Sequence, residues 1–177
     1  MCHRRHILLL SQSRILYSAR VPPANAPAEM EVNMIYETNS PEETYEIGKK
    51  MGRAARSGEV ITLSGDLGVG KTVFAQGFAA GLGINEPINS PTFTIIQEYD
   101  TGRIPLYHFD VYRIADIEEM YEIGFEEYIY GDGVCLIEWA NLISELLPEN
   151  IISVDISKAL DKGFDYRKIT VINNGLR

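Results

Sequence analysis

Cysteine is scarce. Cys2 and Cys135 are the only two in 177 residues, one at the extreme N-terminus and one inside an apolar run, so there is no disulfide framework and no metal-ligand spacing. Long hydrophobic runs are missing too, since none nears the ~18 residues that crossing a bilayer requires. Positive charge is in short supply: 16 Lys and Arg face 25 Asp and Glu, for a net charge of −9. Such a chain lacks the cationic surface that a stand-alone nucleic-acid binder needs. Any role near RNA would run through a partner, and a reducing cytoplasm is the expected compartment. No internal repeat is visible, and the length with 45% hydrophobic content suits one domain.

The first 33 residues differ from the rest. They carry Arg4, Arg5, Arg14 and Arg20 against Glu29 and Glu31, whereas acids dominate beyond. The apolar Ile7-Leu-Leu-Leu10 is short for a secretory signal, and an Arg- and Ser-containing transit peptide fits better. Favoured over both is a disordered or untranslated leader, with translation starting at Met34 or Met30, because Val21-Pro-Pro-Ala-Asn-Ala-Pro-Ala28 has the composition of unstructured chain. Residues 34–177 are then the domain.

What is present is a phosphate-binding loop. Gly65 to Thr72 read G-D-L-G-V-G-K-T, matching G-x-x-x-x-G-K-[ST] at every fixed position. Glycines at 65, 68 and 70 permit backbone angles closed to other residues, so bare amides can approach an anion. Those amides form a nest, and the following helix adds its positive end. Lys71 would sit on the β- and γ-phosphates of a nucleoside triphosphate, and the Thr72 hydroxyl would coordinate Mg²⁺. Context agrees. The β-rich Glu59-Val-Ile-Thr-Leu-Ser64 precedes the loop, and Phe74, Phe78 and Leu82 recur at helical spacing after it, with Gly81 and Gly83 as stop signals.

The remaining elements follow from local signals. Ser40-Pro41-Glu42-Glu43 opens a helix with an N-cap, a proline at the first position and a capping box. Strands are expected over 94–99 and 105–109, and a helix over 116–129 with Asp116 and Glu119 at its start. Val134-Cys-Leu-Ile137 reads as a doubly buried central strand, and 140–147 as a helix stopped by Pro148. Ile152, Val154 and Ile156 alternate with polar residues, as do Ile169 and Val171, which predicts an antiparallel C-terminal pair at the sheet edge. The fold class is α/β: a three-layer P-loop NTPase-like fold with a mixed, mainly parallel central sheet.

A phosphate loop needs carboxylates to hold the cation or its waters and to orient a nucleophile. They stand at strand ends on the same sheet edge as the loop. Glu138 directly follows strand 134–137, and Asp110 follows strand 105–109. Asn89-Ser90-Pro91-Thr92-Phe93 occupies the place of a switch segment, with hydroxyls able to sense a γ-phosphate, though a Pro-directed turn fits equally. Trp139 is the sole tryptophan and reads as core packing on general grounds. His108 and Arg113 could touch phosphates, but satisfied hydrogen-bonding groups are commoner at strand ends. The acidic stretch with Glu118, Glu119, Glu122, Glu126 and Glu127 reads as a solvated face before it reads as a docking face.

Taken in series, G-D-L-G-V-G-K-T (65–72), S-P-T-F (90–93), Y-H-F-D-V-Y-R (107–113) and I-E-W (137–139) resemble the TsaE family, small bacterial ATPases of tRNA threonylcarbamoyladenosine (t6A) biosynthesis. The resemblance spans about Met34 to Arg177, and the leader departs from it. It implies Mg²⁺ and ATP cradled by Asp66, Leu67, Gly68, Val69, Gly70, Lys71 and Thr72. It further implies an ATPase weak alone and engaged by TsaB and TsaD, with tRNA met only through that complex and no membrane. Lys71 corresponds to the phosphate lysine, Thr72 and Glu138 to metal ligands, and Asp110 to the acid of hydrolysis. Trp139 matches the neighbouring tryptophan, and Thr44 a threonine near the base.

Rival readings use the same loop. A small-molecule kinase would need an arginine-rich lid, and between Val73 and Tyr130 only Arg103 and Arg113 occur. A GTPase switch would carry N-K-x-D to read guanine, which the chain lacks. A non-enzymatic adaptor would bind nucleotide only in order to dock.

Overall fold

A computed structural model describes residues 15–18 and 32–173. Eight strands form one sheet: β1 (Ile15–Ser18), β2 (Val32–Thr38), β3 (Val60–Ser64), β4 (Ile96–Tyr99), β5 (Leu106–Asp110), β6 (Val134–Glu138), β7 (Ile152–Lys158) and β8 (Arg167–Asn173). Their order across the sheet is β1-β2-β8-β7-β3-β6-β5-β4. The central β7, β3, β6 and β5 are parallel, and the flanking pairs are antiparallel. The mixed three-layer expectation holds.

Helices cover both faces of the centre. α1 (Pro41–Ala54) and α2 (Lys71–Leu82) lie on one side, where Ile47, Phe74 and Phe78 join Ile61, Leu63 and Leu136 in a single buried cluster. The short α3 (Glu118–Glu122) and α4 (Phe125–Ile129) contribute Met120, Phe125 and Ile129 to a second cluster with Val60, Phe109 and Ile137. This arrangement explains the sequence patterns. β6 is buried at every position, and it is apolar from Val134 to Ile137 before it ends in Glu138. In β7 and β8, Val154, Ile156, Ile169 and Val171 all join the cluster on the α1–α2 side, so these strands alternate.

The antiparallel C-terminal pair extends the sheet as expected, and β2 and β1 continue beyond it. β1 falls inside the stretch expected to be a disordered leader; residues 1–14 and 19–31 lie outside the described residues. The helix expected over 116–129 divides into α3 and α4 at Gly124, whose φ of 70° reverses the chain. Residues 140–146 wind as a 3₁₀ segment instead of an α-helix, with Ile143 leaving helical angles. The strand expected from Thr94 begins only at Ile96, because the amides of Thr94 and Ile95 both donate to Pro91 O. Among the described residues no helix is long and apolar enough to cross a membrane.

The capping box of α1 forms as read. Glu43 N donates to Ser40 Oγ at 3.2 Å, and Glu43 Oε2 accepts from Asn39 N at 2.7 Å. At the other end, Arg103 donates to Gly52 O and Ala55 O, satisfying C-terminal carbonyls. The contact between α1 and α2 is one of backbones. A methyl on Gly52 would stand 2.0 Å from Phe78 O, and one on Gly77 2.0 Å from Tyr45 O; Gly48 and Gly81 are equally tight. Gly81 is therefore an interior packing residue, and Gly83 (φ 87°) alone ends α2. Gly52→Ala is expected to destabilise the protein by about 1–3 kcal/mol through overpacking, measured as a fall in the denaturation midpoint. An unchanged midpoint would show that the helices can separate at no cost.

Candidate nucleotide site

Between β3 and α2 the chain must reverse while keeping its amides bare. Gly65 does so with φ 134°, packed so that a Cβ would lie 2.3 Å from Ile156 O, and Gly70 precedes α2 with φ 114°. No side chain caps α2 and no acid occupies its first turn. Its first N–H groups and positive dipole end thus have no side-chain cap among the described residues.

Lys71 is 6% exposed. Its Nζ donates to Gly65 O at 2.8 Å and to Asp66 O at 3.2 Å, and it lies 4.6 Å from the centroid of the Trp139 ring. Carbonyl dipoles and a π face hold the ammonium without neutralising it. No ion pair to Lys71 forms among the described residues. An ammonium has three donors, so one remains for a ligand.

The carboxylates arrive from neighbouring strands. β5 and β6 run parallel with Asp110 opposite Glu138, at the same end of the sheet as the loop leaving β3. Asp110 is tightly held: Oδ2 accepts from Ser90 Oγ at 2.7 Å and from Thr92 Oγ1, and Oδ1 accepts from Tyr112 N at 3.1 Å. Glu138 Oε1 lies 3.1 Å from Nε2 of the fully buried His108. Just past Glu138, Trp139 adopts φ 62°, a left-handed conformation that is costly for a bulky residue and tends to persist at functional sites.

These groups share one cavity of about 440 Å³, lined by Leu67, Gly68, Gly70, Lys71, Thr72 and Val73 from the loop and α2, Ser90 and Thr92 from the 89–93 segment, and Asp110, Tyr112, Glu138 and Trp139. A second cavity of about 460 Å³ lies behind that segment, between Glu86 and Tyr99, and contains neither Lys71 nor the two carboxylates. The chemistry belongs to the first. Burial pushes the Cys135 thiol up to about 12, so this β6 residue stays protonated and is no nucleophile.

The family model described as "Threonylcarbamoyl adenosine biosynthesis protein TsaE" matches residues 38–169. The chain belongs to the TsaE family. The tRNA threonylcarbamoyladenosine biosynthesis protein TsaE of Bacillus subtilis is 51% identical over 142 residues, covering 80% of this chain and 87% of that protein. The TsaE of Treponema pallidum is 43% identical over 134 residues, covering 76% and 96%. The crystal structure of Bacillus subtilis YdiB superposes with a TM-score of 0.71 at 45% identity, covering 84% of this chain and 90% of that one.

Of the residues that the TsaE resemblance singled out, Leu67, Gly68, Gly70, Lys71, Thr72, Asp110, Glu138 and Trp139 meet at the cavity. Asp66 and Val69 take part through backbone carbonyls, to Lys71 and Arg167 respectively. Thr44 does not line the cavity. It is buried in the first turn of α1, where its hydroxyl pairs with Thr38 Oγ1 at 2.9 Å and reaches Ser40 O. His108 is enclosed behind Glu138. Arg113 stacks on Phe93, 4.2 Å from its ring centroid, so it braces the turn over residues 89–93.

Sequence reasoning passed over Arg167. From the start of β8 its Nε donates to Val69 O at 2.6 Å, while its Nη1 donates to Phe164 O and Tyr166 O. It fastens the phosphate loop from behind, across 98 residues of sequence. No local pattern marks such a contact. Arg167→Ala is expected to speed amide exchange across residues 65–70 by about tenfold, the loss of roughly 1.4 kcal/mol of local protection. Hydrogen exchange by mass spectrometry would read it, and unchanged protection there would remove the tether.

Proposed function

We propose that this protein is a Mg²⁺-dependent ATPase that serves tRNA threonylcarbamoyladenosine formation in the cytoplasm, working with TsaB and TsaD and meeting tRNA only through them. One observation carries the reading: an unpaired ammonium and an uncapped helix N-terminus open into the cavity that also receives Asp110 and Glu138. The names of the relatives in Bacillus and Treponema support the pathway. A kinase lid finds no support, since Arg103 is engaged by α1 and Arg113 by Phe93.

The donor set fits a magnesium ion bound together with phosphates. Among the described residues no three His, Cys, Asp or Glu gather into an all-protein cage, and Mg²⁺ typically takes one or two protein oxygens and completes its shell with phosphate and water. Thr72 and Glu138 are the residues to hold it. Held there, the ion would supply Lewis-acid stabilisation of the negative charge on the phosphates.

The remaining work falls to the chain itself. The amides of residues 66–72 cradle the phosphates, and the third N–H of Lys71 reaches the β- and γ-oxygens. Asp110 orients the attacking water. A carboxylate offers about four acceptor sites, and the two hydroxyls with the Tyr112 amide fill three of them. The one left is fixed in direction. Because Ser90 and Thr92 hold that carboxylate, movement of the switch segment realigns it, which offers a route for partner control. Trp139 and Tyr112, with ring centroids 5.0 Å apart, form an apolar wall beside Lys71.

Lys71→Ala is expected to weaken ATP binding by about 100-fold, the loss of roughly 2.7 kcal/mol. Asp110→Asn is expected to bind ATP normally and to lose about 10²–10³ in turnover stimulated by TsaB and TsaD, as for removal of one preorganised polar group. Calorimetry and phosphate release separate the two effects. Wild-type stimulated turnover in Asp110→Asn would take hydrolysis away from this residue.

A further inference from the structure

We propose that His108 is the positioning residue that presents Glu138 to the bound cation, an inference that rests on the ATPase reading above. His108 sits near the end of β5, in the interior of the sheet, with its side chain fully buried and that of Glu138 3% exposed. Its Nε2 meets Glu138 Oε1 at 3.1 Å, and among the described residues its Nδ1 has no hydrogen-bond partner. That hydrogen bond ties the imidazole to the carboxylate and leaves Nδ1 as a buried ring nitrogen unpaired among the described residues.

That arrangement is unfavourable for packing alone. An unpaired buried nitrogen counts against the folded state, and Leu106 and Leu136 beside it, both fully buried, show that the surroundings suit an aliphatic side chain. The histidine is explained by what Nε2 does. Asp110 has three hydrogen bonds to fix it, whereas among the described residues His108 supplies the only side-chain hydrogen bond to Glu138.

The geometry assigns the two carboxylate oxygens different tasks. Asp110 stands opposite Glu138 in the register, and His108 stands opposite Leu136, two residues back along β6. The imidazole therefore meets Glu138 from within the sheet, on the side away from the strand end. It engages Oε1, which leaves Oε2 with no side-chain hydrogen bond among the described residues in a glutamate that lines the cavity, and it holds this longer side chain in one orientation beside Asp110. Groups that orient metal ligands in this way commonly alter metal affinity by about 10–100-fold.

The test uses the full chain with ATP and a Mg²⁺ titration, read by the fluorescence of Trp139, the one tryptophan. His108→Leu is expected to raise the half-saturating Mg²⁺ concentration about tenfold or more. Metal-free ATP binding, measured separately by calorimetry, should stay unchanged. His108→Gln, whose amide nitrogen falls near the position of Nε2, should restore most of the affinity. His108→Asn, whose amide falls near Nδ1, should not. This polar pair decides the matter if the leucine variant does not fold. Equal Mg²⁺ dependence in Gln and Asn variants, or a parallel loss of metal-free and metal-supported ATP binding, would reduce His108 to a core residue. A wild-type protein whose ATP binding ignores Mg²⁺ would instead overturn the ATPase reading, and this inference with it.

Discussion

Lys71 is a buried lysine with no anionic partner among the described residues, and the rest of the site is organised around that imbalance. An ammonium removed from water carries a large desolvation cost, which two carbonyls and an indole face reduce without cancelling. The nearest acids are kept on the neighbouring strand ends by other groups, Asp110 by the switch hydroxyls and Glu138 by His108. Had either reached Lys71, the ion pair would close the cavity to an external phosphate. The parallel register of β3, β6 and β5 sets the separation, since each strand delivers its C-terminal end to the same edge.

Holding a loop of bare amides in place needs a rigid base. Two features supply it from opposite sides. The backbone contact of α1 with α2 fixes the helix whose N-terminus faces the cavity, and only glycines allow an approach this close. Arg167 binds the loop carbonyl of Val69 from β8. A guanidinium suits that task because its planar fork donates to Val69, Phe164 and Tyr166 carbonyls at once. The loop is thereby joined to the antiparallel end of the sheet as well as to its parallel centre.

The opposite wall has the character of a moving part. Phe93 is 83% exposed and rests mainly on Arg113, and Ile95 takes a left-handed φ of 67° before β4 begins. The Ser90 and Thr92 hydroxyls of this wall nevertheless end on the Asp110 carboxylate. The tethered phosphate loop and the acid held by these hydroxyls thus face one another across one cavity.

Much of this was legible in one dimension. The phosphate loop, the Ser40 cap, the doubly buried β6 and the alternating β7 and β8 are local patterns, and local backbone physics produces them wherever they occur. Asp110 and Glu138 could be named because strand ends on one edge converge. Thr44 could not be placed by its helix, since a helical position says nothing about what its neighbours across space will be. The break at Gly124 and the shortened β4 were hidden for a related reason, because a turn competes with helix or strand propensity only once its hydrogen bonds find partners. The amino-acid order by itself determined which chemistry the chain carries and which strands are buried on both faces, as these depend on residue type and period. Only the tertiary structure decided that Arg167 serves the loop, that four glycines are a helix contact and that His108 serves Glu138. Such contacts join residues tens of positions apart, and their energies exist only after the sheet has closed that distance.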